Sequence, residues 1–360
     1  MRMAYLTGSG SESNEAAIKM ACFYHYLNNG NTDRNILIAR SRSYHGTTIG
    51  TLSISGFGSR KEPYLPLLMD NVYFVSPCYT YRQLEKGELN DAFIARKSAE
   101  LEALILKLGP EKVSAFIAEP VVGAALGCVS FVPGYLNAMK QVCHKYGVLF
   151  IVDEVMCGTG RTGVLHAWQA EPGFTPDIQT MGKGLGAGYQ PIGAMMISNE
   201  IFNVLSKSGQ FVHGHTFESM RVQAVAALEV LNIIQEKNLL LQVKKKGLYL
   251  ERRLRSILGD HPHVGDIRGK GLFWGIEFVK NKDTKEPFNS KLNLAFKLQE
   301  LAFSAPFNMM IYASTGCVDH ERGDIIMLAP PFTITYKEIN HIVNVLSKVI
   351  KKTFENIDTK

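Results

Sequence analysis

A run of four apolar residues, 149–152, ends directly at the acidic pair Asp153 and Glu154. A strand that is apolar at every position is typical of one buried on both faces, as in the parallel sheet of an α/β protein. Similar short runs occupy residues 35–39 and 113–118, and segments with helical spacing lie between them. This alternation predicts βαβ units and a mostly parallel sheet, so the expected fold class is α/β.

The acid at the end of the apolar run is expected beside a lysine. Open α/β sheets bind ligands in the crevice at the carboxyl ends of their strands, which is where Asp153 would lie. Lys183 follows thirty residues later, after the short segment 177–181, and it stands between Gly182 and Gly184. The glycines leave room for a planar group, and a desolvated lysine amine can form a Schiff base.

Pyridoxal phosphate is a cofactor that uses both groups, a lysine for its aldehyde and an acid for its ring nitrogen. From the residues alone, a second interpretation stays open for Asp153 and for Lys183. Asp153 is also consistent with a loop acid or a helix cap, and Lys183 with a solvated surface lysine.

Two longer segments carry a family resemblance. Residues 153–163 read DEVMCGTGRTG, and residues 182–191 read GKGLGAGYQP. Together they resemble the signature of the class III aminotransferases, which are pyridoxal-phosphate enzymes of fold type I. The resemblance implies a large cofactor-binding domain over residues 1–236 and a smaller C-terminal α/β domain over residues 237–360. It also implies that Lys183 and Asp153 are the catalytic residues.

Two further positions are candidates for cofactor binding. Gly10 and Ser11 lie in a polar turn, residues 7–15, that leads into a predicted helix. The start of a helix favours an anion, although serine followed by glutamate is also a capping pattern. The resemblance implies that both residues bind the cofactor phosphate. Tyr44 follows the run 35–39, and the resemblance makes it the residue that stacks on the cofactor ring, with His45 as a supporting residue.

The remaining candidates are assigned by the same resemblance. Glu119 follows the run 113–118 and would shape the cofactor pocket, with a turn carboxylate as the alternative. Val155, two residues after Asp153, would pack on the ring face opposite Tyr44. Thr216 would reach across a homodimer interface to the neighbouring subunit's cofactor phosphate, while the sequence alone also allows a helix cap.

The implied reaction is a transamination. An amino group would pass from an amine or amino acid, ω-amino compounds included, to a keto acid such as pyruvate. Relatives that act on α-amino acids or α-ketoglutarate carry a glutamate and an arginine where this chain has Ala124 and Met327. Arg322 could supply a mobile guanidinium instead, or could be a surface charge. A decarboxylase or aminomutase and a truncated non-catalytic homologue are the alternatives.

Composition limits the other possibilities. The chain of 360 residues is 46% hydrophobic and 20% charged, with a formal net charge of +6. Its short basic clusters predict solvated helix faces, so no nucleic-acid partner is expected, and no apolar run is long enough to predict a membrane span. The six cysteines show no metal-binding spacing and predict reduced thiols. A cytoplasmic location is expected, with a mitochondrial one left open because the N-terminus looks incomplete beside the family.

Overall fold

A computed structural model describes residues 1–30 and 33–358. Within them the strands are β1 Met3–Thr7, β2 Ile36–Arg40, β3 Val72–Val75, β4 Val113–Ala118, β5 Val121–Val122, β6 Val129–Ser130, β7 Leu149–Asp153, β8 Ile178–Met181, β9 Gly193–Ile197, β10 Val264–Lys270, β11 Phe273–Phe278, β12 Tyr312–Ser314 and β13 Asp324–Leu328. The helices are α1 Gly10–Asn29, α2 Ile49–Ile54, α3 Gly58–Lys61, α4 Thr80–Gln83, α5 Asn90–Leu108, α6 Tyr135–Lys145, α7 Asn199–Ser208, α8 Arg221–Glu236, α9 Leu239–Leu258, α10 Leu294–Phe303 and α11 Tyr336–Asp358.

The central sheet has seven strands in the order β1-β9-β8-β7-β4-β2-β3. Strands β8, β7, β4, β2 and β3 pair in parallel, which confirms the mostly parallel sheet. Strand β9 pairs antiparallel with both β8 and β1. The N-terminal residues Met3–Thr7 form β1, an edge strand of this sheet.

Helices cover both faces of this sheet, and the alternation of side chains along each strand explains why the central strands are apolar throughout. On β7, Leu149 and Ile151 pack in the cluster that contains α1, whereas Phe150 and Val152 pack in the cluster that contains α5 and α6. Because the two sets point to opposite helical layers, every position of the strand is buried.

A second sheet has the order β10-β11-β13-β12 and is antiparallel throughout. Its apolar face packs with α9, α10 and α11 in one cluster, which includes Leu254, Leu298 and Leu346. Residues 264–278 contribute the paired strands β10 and β11 to this sheet. The proposed division at residues 236 and 237 falls between α8 and α9 and stays a prediction.

In the described parts of the chain, no helix combines the length and the apolar character needed to cross a membrane.

Candidate active site

A cavity of about 560 Å³ opens at the carboxyl ends of β4, β7 and β8. Seven of the eight residues predicted from the sequence line it: Gly10, Ser11, Tyr44, Glu119, Asp153, Val155 and Lys183. They come from positions far apart in the chain, and the parallel strand order brings them together because successive strands end at the same edge. The eighth, Thr216, is exposed in the segment between α7 and α8 and does not line the cavity.

Asp153 is the last residue of β7, and its carboxylate is held from three sides. The amide of Val155 donates to Oδ1 at 2.9 Å, while Asn14 Nδ2 and His45 Nδ1 donate to Oδ2 at 2.8 and 2.7 Å. Only 3% of the residue is exposed. These hydrogen bonds fix the orientation of the carboxylate toward the cavity.

Glu154 has a different environment from its neighbour. It is fully buried, does not line the cavity, and its two carboxylate oxygens accept from the amides of Ala167 and Trp168 at 2.8 and 2.7 Å. Burial raises the pKa of Glu154 to about 8. Successive residues of a strand point to opposite sides, so the acidic pair supplies one acid to the cavity and one to the loop that follows.

Asn14 and His45 are the supporting residues for Asp153. Asn14 lies in the first turns of α1, and its Oδ1 accepts from Thr180 Oγ1 at 2.7 Å. The backbone amide of His45 donates to Ser55 Oγ at 2.8 Å. The sequence placed His45 only as a support residue, and no local pattern identified Asp153 as its partner, since the two lie 108 positions apart.

Lys183 begins a short 3-10 turn directly after β8. Its φ of +38° lies in the left-handed region, which is uncommon for a residue with a side chain and is a form of strain found at functional sites. Gly182 precedes it in extended backbone, and a Cβ there would come within 3.2 Å of Val155 Cγ1. The glycine therefore allows the Lys183 turn to lie close against Val155.

The first turn of α1 forms another wall of the cavity. Ser9 caps the helix through Oγ, which accepts from the Glu12 amide at 3.2 Å. A Cβ on Gly10 would lie 2.4 Å from Val155 Cγ1, so only glycine permits this packing. Because the first amides of a helix have no partner within it, those of Gly10 and Ser11 are donors suited to an anion such as a phosphate.

Glu119 connects two parts of the site. Its Oε1 accepts from the Tyr44 amide at 3.1 Å and its Oε2 from the Gly123 amide at 3.0 Å. Burial raises the pKa of Glu119, the nearby Asp153 carboxylate raises it further, and His45 opposes the change. Glu119 therefore holds Tyr44 against the end of β4, which is a pocket-shaping position.

The positions expected to decide substrate choice offer no cation to the cavity. Ala124 and Met327 are both buried and apolar. Arg322 Nη2 forms an ion pair with Asp319 Oδ2 at 2.6 Å, and the residue does not line the cavity. The idea that Arg322 faces the site as a mobile guanidinium therefore has no support in this arrangement.

Several lining residues were not assigned a role from the sequence. They are Gly8, Ser9, Gly46, Met156, Gly188, Gln190, Pro191 and Ile192. Most lie next to residues that were assigned, inside the motifs already quoted. Their side-chain types alone carry no signal for a ligand, so proximity in sequence to a motif was the one available clue.

The residues present fit pyridoxal phosphate. A buried, hydrogen-bonded acid can face a ring nitrogen, a helix start can face a phosphate, and Tyr44 and Val155 both line the cavity between them. The close approach of Gly10 to Val155 would be lost with any side chain at position 10, which indicates a wall shaped for a flat group.

Comparison with known proteins also indicates a pyridoxal-phosphate enzyme. The family model for aminotransferase class-III matches residues 3–350. An uncharacterized aminotransferase of Schizosaccharomyces pombe is 43% identical over 353 residues, which are 97% of this chain and 76% of that protein. The (S)-enantioselective omega-transaminase of Thermomicrobium roseum has a TM-score of 0.89 at 34% identity, covering 97% of this chain and 75% of that one.

A second solved structure bears on the cofactor. The aminotransferase of Vibrio fluvialis in its PMP-bound form has a TM-score of 0.88 at 29% identity, covering 98% of this chain and 75% of that one. These likenesses favour transamination over the decarboxylase, aminomutase and non-catalytic alternatives. The chain belongs to the class-III aminotransferase family and is a fold type I, pyridoxal-phosphate-dependent transaminase.

Proposed function

We propose that this transaminase moves an amino group from an amine or an ω-amino acid to a keto acid such as pyruvate. The observation that carries the proposal is one cavity in which Lys183 and Asp153 meet, with apolar residues at the positions that would otherwise hold a fixed carboxylate clamp. Similarity to an omega-transaminase supports the amine as donor.

Each residue has a proposed part in holding the cofactor. Lys183 would carry it through Nζ, Asp153 would face the ring nitrogen, and the amides of Gly10 and Ser11 would take the phosphate. Tyr44 and Val155 would contact the two ring faces, and Glu119 would hold Tyr44 in place. When bound, pyridoxal phosphate supplies an aldehyde for the incoming amine and a ring that accepts an electron pair.

The chain's own contribution to the reaction is proton handling and electrostatics. With a substrate in place, the amine of Lys183 would accept a proton at Nζ from the substrate carbon and later give it back, which makes it the acid and base of the site. Three donors hold the Asp153 carboxyl group in one orientation. A carboxylate within hydrogen-bonding reach would favour a protonated ring nitrogen. The burial of Asp153 and His45 excludes water from this pair.

The central test is the Lys183→Ala variant. Wild-type protein loaded with pyridoxal phosphate should show the visible absorbance of a lysine-bound cofactor after dialysis, and Lys183→Ala should lose both that absorbance and amino transfer. Lys207→Ala, at an exposed lysine in the last turn of α7, is the matched control and should keep both. A dialysed Lys183→Ala protein with unchanged absorbance would refute the assignment.

A donor panel would test the substrate class. Putrescine, 4-aminobutyrate and glutamate should be offered with pyruvate, and the alanine formed and the carbon dioxide released should be measured together. Transfer from the first two without carbon dioxide is the expected result. Release of carbon dioxide in step with turnover would instead favour a decarboxylase.

We also propose that two copies of the chain form a homodimer. Helix α8 exposes Val222, Val225 and Leu228 at spacings that place them on one face, and the exposed Thr216 lies shortly before this helix. A second copy would cover this face, and Thr216 would then reach the partner's cofactor phosphate. Large exposed apolar faces are unusual on monomers and typical of interfaces.

The dimer has its own test. Val225→Glu should give a monomer by light scattering after size-exclusion chromatography, because the interface would bury an unpaired charge. Leu106→Glu, at an exposed leucine of α5, is the control and should remain dimeric. Thr216→Ala should weaken cofactor binding without changing the mass. A dimeric Val225→Glu protein would refute the proposed face.

The proposed compartment is the cytoplasm or the mitochondrion. It is supported by the six cysteines, none of which forms a disulfide. Imaging of the tagged full-length protein in its own cells would test it, and an extracellular signal would refute it.

A further inference from the structure

The cavity contains little positive charge for a substrate carboxylate. Among the described residues that line it, Lys183 is the one lysine or arginine, and its amine is assigned to the cofactor and to proton transfer. A keto acid acceptor such as pyruvate nevertheless carries a carboxylate. A cation just outside the lining would be well placed to pair with that group.

Arg60, in the short helix α3, lies in a suitable position. Its guanidinium carbon is 4.9 Å from the ring centre of Tyr44, which lines the cavity, and 5.0 Å from that of Phe57. Its Nη2 donates to the Tyr312 hydroxyl at 2.9 Å. The guanidinium is thus held by two rings and one hydroxyl at the edge of the site.

The charge of Arg60 has no acidic partner. None of the ion pairs in the described parts of the chain involves this residue, and its side chain is exposed. An exposed arginine that lies near a pocket and forms no ion pair can bind an incoming carboxylate without first breaking an ion pair.

Two other arginines at the boundary between the sheets are already engaged. Arg42 Nη1 donates to the carbonyls of Cys317 and Val318. Arg161 Nη1 donates to the carbonyls of Leu272 and Pro330. Both guanidinium groups hold backbone segments together, so their release would disturb the fold.

We infer that Arg60 recognises the carboxylate of the amino acceptor and so determines which acceptors the enzyme prefers. The inference rests on the proposed function and names the substrate feature that this site selects. The planar guanidinium offers two parallel donors to a carboxylate. Because it lies over the ring of Tyr44, these donors are held next to the cavity wall. The Tyr312 hydroxyl limits the rotamers that the long side chain can adopt.

The test compares acceptors with and without a carboxylate. In Arg60→Gln, the KM for pyruvate should rise about 10- to 100-fold, as expected for loss of a charge-assisted hydrogen bond. The KM for an aldehyde acceptor that lacks a carboxylate, such as butanal, and the kcat for both acceptors should be unchanged. Arg60→Lys should lie between Arg60→Gln and the wild type, because it keeps the charge but not the planar fork.

Arg252→Gln is the matched control, since Arg252 is also an exposed arginine that lies over a tyrosine ring, that of Tyr249. It should leave both KM values unchanged. Equal changes in KM for pyruvate and butanal in Arg60→Gln, or no change for pyruvate, would overturn the inference.

A binding measurement separates this inference from the proposed reaction. Propionate resembles pyruvate but cannot react, and its affinity for the cofactor-loaded protein can be measured by calorimetry. Arg60→Gln and Arg60→Lys should both bind propionate more weakly than the wild type, and unchanged affinity would overturn the inference. If the wild type instead transfers no amino group from any donor, the proposed function fails while propionate binding still decides the role of Arg60.

Discussion

His45 Nδ1 lies 2.7 Å from Asp153 Oδ2, and both side chains are buried. A carboxylate oxygen only accepts, so Nδ1 carries the hydrogen and the imidazole is fixed in orientation. Nε2 of the same ring is buried without a partner in the described residues. The histidine therefore positions the acid that faces the cofactor ring, although it does not itself need to contact the reacting atoms.

Replacement of His45 by leucine should weaken cofactor binding. The carboxylate of Asp153 would lose one of its three donors in a buried site, and we expect the dissociation constant for pyridoxal phosphate to rise about 10- to 100-fold. His45→Asn should restore part of the affinity because its side-chain amide can also donate. Titration of the apoprotein followed by visible absorbance measures both variants.

His25 offers a control for this prediction. It is also a buried histidine, and its Nε2 is 3.0 Å from the Ser114 carbonyl oxygen, far from Asp153 in the hydrogen-bond network. His25→Leu should lower the free energy of unfolding and leave the cofactor dissociation constant unchanged. A loss of cofactor affinity in His25→Leu equal to that in His45→Leu would contradict a specific role for His45.

The sequence identified the acid and named His45 as a supporting residue, but it did not show that Asn14 and His45 contact Asp153, for a physical reason. Asp153 could be assigned because an apolar run places the next residue at the edge of a sheet, which is a local pattern. The contacts of Asn14 and His45 with Asp153 join residues 139 and 108 positions apart. These contacts depend on how three elements pack together. The presence of an Asn or a His in the sequence does not by itself indicate that packing.

The contact between Gly10 and Val155 gives a second prediction. Gly10→Ala would place a Cβ 2.4 Å from Val155 Cγ1, so the valine must move from the cavity wall. We expect a loss of about 1–3 kcal/mol of stability from overpacking, together with weaker cofactor binding. Urea unfolding and absorbance titration measure the two effects.

A double mutant tests whether this clash is the cause. Val155→Ala removes both Cγ atoms, and the combination with Gly10→Ala should recover most of the stability lost by Gly10→Ala alone. Additive losses in the double mutant would show that position 10 needs glycine for another reason.

The fold, like the site, could be predicted only where the signal lies within a short stretch of sequence. The apolar runs at 113–118 and 149–152 predicted the buried parallel strands, because a strand buried on both faces is apolar at nearly every position. The antiparallel direction of β9 was not predictable, since an apolar strand reads the same in either direction. Its direction is set by pairing with β8 and β1, which is not a local property of residues 193–197.

The carboxylate of Glu277 holds the second sheet to α4 and to the loop between β5 and β6, and it gives a third prediction. This fully buried residue of β11 accepts from Arg82 Nε at 2.6 Å and from Arg268 Nη1 at 2.6 Å, and the Tyr79 hydroxyl also donates to it. Arg268 in turn donates through Nε to the Gly127 carbonyl at 2.8 Å. The network connects the second sheet to the segment that leads to α4 and to the loop between β5 and β6.

Glu277→Gln should be strongly destabilising because it leaves two guanidinium groups around a neutral amide. Breaking a buried ion pair from one side costs about 3–5 kcal/mol. Glu286→Gln removes an exposed pair with Lys280 and should cost about 1 kcal/mol or less. Urea unfolding of both apoproteins provides the comparison, and equal losses would contradict a central role for the Glu277 network.

Asp324 at the start of β13 leads to a prediction of pH dependence. Its Oδ1 accepts from the Ala295 amide at 3.0 Å, and 4% of the residue is exposed. Burial raises the pKa of Asp324 from the ordinary 3.8 to about 6. The folded protein therefore holds this proton more tightly than the unfolded chain, so the group's contribution to stability is present below about pH 4 and is lost as the pH rises to about 6.

Asp324→Asn should remove this loss, because asparagine does not titrate and its Oδ1 can keep the bond to Ala295. The difference in the free energy of unfolding between variant and wild type should favour the variant more at pH 7 than at pH 4, by about 3 kcal/mol at most. Burial would raise the pKa of Asp319, but hydrogen bonds from the backbone and side chain of Arg322 outweigh it and lower the pKa. Asp319→Asn should therefore show the opposite sign, because the contribution of Asp319 is lost as the pH falls. Urea unfolding at the two pH values measures each difference, and a pH-independent effect of Asp324→Asn would mean that Asp324 is already ionised at pH 4 in the folded protein.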